Sequence, residues 1–341
     1  MARQVVFLVH GIGEQKPKWS TEPVEYLDKL CGRYPSVKEP ISKQIEFVEV
    51  GFGDVFDKQL ARWDEDVDSF KENGVVPQAK DAVAWLDGVT EGGFVWTHIG
   101  DVVLFLSRVT RAAAVSEVVA QMATTISAEN DDQTQFSIVA HSMGTAVTME
   151  AVNALCTAIP DVGWPGMPDG FMFREIIMLS NTSRLLQRPE LTADGGSRML
   201  PVGFRPDGLC GVYRNVFHQR DPVSWARRFK LAGASEDDYV DVALDHYYAR
   251  NLHDMTHYLE HPAVHGAILR LPSASNLPLA AWRKALEEYD ADKRFGGVFA
   301  SLLEVKTFVS DLAASPKPNP ESPTQLVSHL KYMVDVLRKM V

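Results

Sequence analysis

The sequence predicts an α/β fold: a mainly parallel sheet, doubly wound with helices on both faces, followed by a helical C-terminal extension. Three observations lead there. Short, continuous apolar runs rich in β-branched residues read as strands covered on both faces. They alternate with segments of helical spacing, the pattern of parallel strands joined by crossover helices. Beyond about Leu271 the strand-like runs stop and helical spacing takes over.

Taken in order, residues 4–9 (QVVFLV) form the first strand, ended by His10-Gly11, and residues 45–50 (IEFVEV) the second, with helical spacing around residues 22–30 between them. Residues 51–107 are less regular, with Phe52, Phe56, Trp63, Trp85, Phe94 and Trp96 spread among acidic and Gly-containing stretches. Over residues 108–129, Val115, Val118, Val119, Met122 and Ile126 recur at helical spacing, which predicts a helix with one buried face. A polar turn at 130–133 precedes a short buried strand at 136–140. A helix of small and apolar residues follows over 143–159, stopped by Pro160. Residues 175–179 and 212–217 are two further strands. Near the end, Phe299, Leu302, Leu303 and Phe308 share one helical stripe and Leu326, Leu330, Met333, Leu337 and Val341 another, with the Pro-rich connector SPKPNPESP between them. The expected organisation is one domain over residues 1–270, with 51–107 and 182–211 as candidate lid or insertion segments, and an extension over 271–341.

With 341 residues the chain can bury a sizeable core, and 45% hydrophobic against 23% charged residues is the balance of an ordinary globular protein rather than a disordered or fibrous one. A formal net charge of −11, with no stripe of Lys and Arg, argues against nucleic acid as a partner. Cys31, Cys156 and Cys210 are widely spaced, with no CxxC or Cys/His ligand spacing, so buried free thiols are expected rather than disulfides or a zinc site. No window is long and apolar enough to span a bilayer, so no integral membrane segment is expected. The opening MARQVVFLVHG runs straight into a strand without a signal-peptide apolar region or a small-residue cleavage site. A cytoplasmic protein is therefore expected, leaderless export leaving no such trace. Nothing in the pattern speaks to oligomeric state.

Chemistry concentrates in FSIVAHSMGTAV, residues 136–147. A strand, then Ala140-His141-Ser142-Met143-Gly144, then a helix is the context of a nucleophile elbow, a sharp turn that presents a serine at the end of a strand. The residues two before and two after that serine must be small, because the turn crowds them against each other and the adjoining helix. Gly144 meets this requirement, and Ala140 stands where glycine is usual. The plainer reading makes Ser142 the N-cap of a buried helix.

Together, VFLVHGIGEQ and VAHSMG resemble the α/β-hydrolase superfamily, in particular its lipase- and esterase-like members, over roughly residues 4–270. The resemblance implies the α/β-hydrolase fold and a serine hydrolase that cleaves a carboxylic ester through an acyl-enzyme on Ser142. It also implies an oxyanion hole from the backbone amides of Met143 and Ile12, and a triad in the chain order Ser, Asp, His. Asp221 fits the acid, following the strand VYRNVF in an Asp-Pro-Val step of the kind the family often shows. As a bare residue it reads as a turn aspartate before proline. For the base, residues 251–265 (NLHDMTHYLEHPAVH) hold His253, His257, His261 and His265, and spacing alone does not decide among them. Pro262 suits the first turn of one helix and Asp254 the cap of a short one before it. That leaves His253 in a loop able to swing over Ser142, and His257 inside helical structure beside a packed Tyr258. His253 ranks first and His257 is the alternative base. His261 and His265 read as surface residues, and His218 and His246 as outside options. His10 and His141, which flank turns, read as structural imidazoles bonded to nearby loops.

The implied substrate is a small-molecule or lipid-like acyl ester with an apolar acyl group, with 51–107 and 182–211 as the candidate pocket walls; the aromatics there serve equally well as core. No metal or organic cofactor is required. Acyl transfer to an alcohol, or thioester hydrolysis, would use the same residues, and a catalytically silent binding protein could keep the fold, because fold does not dictate function. Gly11-Ile12-Gly13 after a strand also opens a dinucleotide fingerprint, but Lys16 stands where the third glycine belongs, which leaves that reading weak; a plain glycine turn is the remaining alternative.

Overall fold

A computed structural model of the chain describes residues 3–11, 17–56, Lys58, Phe105, 108–129, 133–157, 171–183, 210–219, Asp221, Phe229, 238–245, 253–272 and 277–291. The chain divides into two compact units. One comprises Met1–Gly11, Gln15–Gly51 and Val115–Val298, the other Ile12–Glu14, Phe52–Ala114 and Phe299–Val341.

The first unit is built on six strands: β1 (Gln4–Val9), β2 (Glu46–Val50), β3 (Gln135–His141), β4 (Phe173–Leu179), β5 (Cys210–His218) and β6 (Tyr239–Leu244). They pair in parallel throughout, in the order β2-β1-β3-β4-β5-β6. Parallel neighbours cannot be joined by a hairpin, so helices intervene. These are α1 (Thr21–Cys31) between β1 and β2, α2 (Arg108–Ala128) before β3, and α3 (Met143–Thr157) after it; α4 (Met255–Leu259), α5 (Pro262–Leu269) and α6 (Leu279–Ala291) follow β6. The chain is thus of the α/β class. Its strand order turns about β1: β2 lies on one side, β3 and everything after it on the other. The carboxyl ends of two such neighbours bound the crevice where open α/β sheets bind ligands.

The period-two alternation of buried strands supplies the core. Val6, Leu8, Val139, Ile177, Leu179, Val216 and Leu244 form one row, packed with Leu27 and Leu30 of α1, Met255, Tyr258 and Leu259 of α4, and Val264, Ile268 and Leu269 of α5. Each such side chain removed from water contributes about 1.5–3 kcal/mol. Every residue of β1 is buried, so both of its faces are covered. The edge strands β2 and β6 are only half covered. The β6 segment, YVDVAL, escaped the sequence reading although Asp241 is its one polar residue; in the fold it is an edge strand with only Val242 and Leu244 buried. In α2, Val118, Val119, Met122 and Ile126 are buried as their spacing predicts, and Val115 is only half buried. Cys31 and Cys210 are buried free thiols.

Two histidines expected at the surface are buried. His261 caps α5, its Nδ1 accepting from the Ala263 amide at 3.1 Å, and its ring meets Tyr289 at 4.3 Å. His265 sits between the Tyr34 hydroxyl, 2.6 Å from Nε2, and the Leu259 carbonyl, 2.9 Å from Nδ1; burial pushes its imidazole down to about 4. Helical spacing reported only that they shared a face. That α1 and α6 cover the face is a tertiary fact.

Helix α6 packs on α5. The Trp282 indole N–H donates to the Pro262 carbonyl at 2.7 Å, and the Arg270 guanidinium lies 5.0 Å over the Trp282 ring. Helix α6 belongs to the first unit. The stripes at Phe299–Phe308 and Leu326–Val341 lie outside the described residues, as do Trp63, Trp85, Phe94 and Trp96. In the second unit, Phe52 and Phe56 meet edge to face at 5.6 Å and the Arg111 guanidinium lies 4.7 Å over the Phe105 ring. Among the described residues no helix is long and apolar enough to cross a membrane.

A methyl group on Gly266 would stand 2.3 Å from Trp282 Nε1. Gly266→Ala is expected to lower stability by about 1–3 kcal/mol through overpacking, read as a lower urea midpoint at unchanged slope. An unchanged midpoint would mean that Trp282 does not rest on α5 as described.

Candidate active site

Ser142 follows the last residue of β3 and precedes the first of α3, with φ at +55°, the left-handed region that a non-glycine residue adopts only at a strain of about 1–3 kcal/mol. Its backbone is held from several directions. The Ser142 amide donates to the Leu179 carbonyl of β4 at 2.9 Å. Its carbonyl accepts from the Thr145 amide at 2.9 Å, from Thr145 Oγ1 at 2.6 Å and from Thr182 Oγ1 at 2.9 Å. At about 0.5–1.5 kcal/mol each, these bonds together offset the strain. Ser142 is therefore no ordinary N-cap, whose backbone would be extended.

Close approach of β1 explains the small residues around it. A Cβ on Gly144 would stand 2.2 Å from the His10 carbonyl oxygen and 2.9 Å from that of Val9. The first turn of α3 is thus crowded by the end of β1. A Cβ on Gly11 would stand 2.6 Å from Ser142 Cβ and 3.2 Å from Ser142 Oγ, so the chain leaving β1 passes directly against the serine. Met143, buried, opens α3, where amides lack intrahelical acceptors. Ile12, the other expected oxyanion donor, lies outside the described residues, as do His246 and most of the candidate lid segments 51–107 and 182–211.

Three expected residues come together. His253 precedes α4, whose cap is Asp254, the carboxylate accepting from the Thr256 amide at 2.8 Å. From that position His253 Nε2 lies 2.7 Å from Ser142 Oγ and His253 Nδ1 lies 2.8 Å from Asp221 Oδ2. A carboxylate only accepts, so Nδ1 carries the proton and Nε2 is left to accept from the serine hydroxyl. Asp221 is 0% exposed. Burial pushes its carboxyl up, but the His253 imidazole and the hydroxyls of Tyr258 and Ser180 outweigh that and bring it down to about 2. His257 stands elsewhere: it is inside α4, 2% exposed, its ring 5.1 Å from that of His218 at the end of β5. His141 Nε2 donates to the His253 main-chain carbonyl at 2.7 Å, and burial, with His253 and His10 nearby, holds its ring neutral, well below the usual imidazole range. Burial likewise lowers His10.

Residues that the sequence reading passed over complete the arrangement. Ser180, at the end of β4 and also at positive φ (+49°), donates from Oγ to Asp221 Oδ2 at 2.7 Å, and the Tyr258 hydroxyl donates to the same oxygen at 2.6 Å. Thr145 and Thr182 lock the elbow. The signal was the polar run Ser180-Asn181-Thr182-Ser183 directly after an apolar strand, at the same sheet edge as Ser142. Among the described residues no group of three or more His, Cys, Asp or Glu side chains is placed to hold a metal ion. Chemically, the arrangement is a hydroxyl poised to lose its proton to an oriented imidazole backed by a buried anion. No protein-family model matches this chain, and no curated protein does.

The Asp221 carboxyl is lowered in the fold from an ordinary 3.8 to about 2. The stability it contributes is therefore fully present above about pH 4 and lost as pH falls towards 2. Urea denaturation of wild type and Asp221→Asn across this range should show a stability difference that is constant at neutral pH and shrinks in acid. A difference that does not change with pH would mean that the carboxylate is not held ionised by its partners.

Proposed function

We propose that this chain is a serine hydrolase with an α/β-hydrolase fold, acting on a carboxylic ester through an acyl-enzyme on Ser142. The observation that carries the reading is the relay from Ser142 Oγ to His253 at 2.7 Å and on to Asp221 at 2.8 Å, with Ser142 on a left-handed turn between strand and helix. Support comes also from the chain order Ser, Asp, His and from the position of the serine beside the point where the strand order turns.

In this reading His253 Nε2 takes the proton of Ser142 Oγ as the oxygen attacks the ester carbonyl. The new imidazolium is stabilised and kept in register by Asp221 through Nδ1–H. The Met143 amide donates to the developing oxyanion, a contribution of about 3 kcal/mol for a well-placed donor. His253 then gives its proton to the departing alcohol. A water, deprotonated by the same nitrogen, cleaves the acyl-enzyme and releases the acid. An ester with an apolar acyl group is the substrate proposed, and the protein a cytoplasmic one.

Hydrolysis of p-nitrophenyl esters from acetate to palmitate tests this. Ser142→Ala and His253→Ala should each lose about 10³-fold or more in kcat, while His257→Ala keeps kcat within about tenfold and loses stability instead. Activity that survives Ser142→Ala, or that depends on His257 rather than His253, would overturn the assignment.

A further inference from the structure

Three donors converge on one oxygen of Asp221. Besides His253 Nδ1 at 2.8 Å, Oδ2 receives the Ser180 hydroxyl at 2.7 Å and the Tyr258 hydroxyl at 2.6 Å. Ser180 Oγ is also 3.2 Å from His253 Nδ1, so the imidazole N–H points between the carboxylate and the serine oxygen. Ser180 and Tyr258 are themselves fully buried. Their elements are independent: Ser180 follows β4, Asp221 the end of β5, and Tyr258 lies in α4, five residues after His253.

A buried carboxylate needs several donors to stay ionised, and an imidazole alone supplies one. The hydroxyls meet that need, and they have a second effect. Each takes part of the negative charge that would otherwise act on the imidazole. We infer that Ser180 and Tyr258 are positioning residues of the triad, whose hydroxyls fix the Asp221 carboxylate and temper its hold on the His253 imidazole. This rests on the serine hydrolase reading for its catalytic meaning, but not for its test.

Among the described residues, other groups that face His253 include His141 from the end of β3, 5.0 Å away between ring centres, Ser142 next to it, His10 from the end of β1, and Asp254, its neighbour in the chain. His141 and His10 are held neutral by burial, and Asp254 is engaged as the cap of α4. Asp221 is the anion bonded to the ring. Removing a hydroxyl therefore strengthens the pull of Asp221 on the imidazolium, and His253 should titrate at a higher pH.

The test is an NMR titration of ¹⁵N-histidine-labelled full-length protein, following the His253 ring in wild type, Tyr258→Phe, Ser180→Ala and the double variant, with circular dichroism to establish folding. Each single variant should raise the His253 midpoint by about a few tenths to one pH unit, and the double variant by more. In an Asp221→Asn background Tyr258→Phe should leave the midpoint where it is, because the carboxylate through which it acts is gone. Two variants guard against one failing to fold. Midpoints that stay or fall in a folded variant would overturn the inference, as would equal Tyr258→Phe shifts with and without Asp221. The titration needs no substrate. Lack of esterase activity therefore counts against the proposed function alone, and an unmoved midpoint in an active esterase counts against this inference alone.

Discussion

Much of this structure is arranged around a backbone conformation that the chain would not adopt unaided. At Ser142 the main chain enters the left-handed region, at +55°, because a parallel strand must turn sharply into a helix there without covering the serine. Three hydrogen bonds to its carbonyl and one from its amide hold it. They come from α3, from the carboxyl end of β4 and from the polar run after β4, so the elbow exists only once β3 and β4 are paired. The crowding of Gly144 and Gly11 ties the same turn to β1. The strands on either side of β3 therefore shape the turn, and the crevice between the ends of β1 and β3 is where the serine emerges.

The electrostatics follow from that placement. The Asp221 carboxylate is fully buried, a situation that favours protonation unless donors are supplied. They come from α4, the loop before it and the end of β4, which places the carboxylate at the junction of the sheet edge and the segment that carries His253. His253 is also gripped through its main chain, by His141, the residue just before the serine. Serine and imidazole are thus located by one turn of chain, and their 2.7 Å separation is not left to the freedom of a loop.

How much of this the sequence disclosed depended on how local each cause was. Mainly apolar runs identified β1, β3, β4 and β5, strands that are covered on both faces. The edge strand β6 was missed, although Asp241 is the one polar residue of its sequence YVDVAL. Ser142 was legible from the strand, small-residue turn and helix that flank it, and Asp221 from its place after β5. Placement of Asp254 and Pro262 as helix starts favoured His253 over His257, and it is His253 Nε2 that lies 2.7 Å from Ser142 Oγ. The burial of His261 and His265, and the hydroxyls of Ser180 and Tyr258 on Asp221, could not be read in advance. They depend on which elements meet in space, and a serine after a strand or a tyrosine in a short helix carries no local mark of its partner. Crowding at Gly144 was also assigned to the wrong neighbour: the nearest atoms belong to the end of β1 rather than to Ala140.

The central claim is that Ser142 is an activated nucleophile, and its most direct test is covalent. Wild type and His253→Ala would be treated with a fluorophosphonate at neutral pH and followed by intact mass and peptide mapping. A single adduct per chain on Ser142, formed about 10³-fold more slowly or not at all in His253→Ala, is the result this account predicts. A folded wild type whose Ser142 stays unmodified, or reacts at the same rate without His253, would contradict it and favour a binding protein that keeps the fold but not the chemistry.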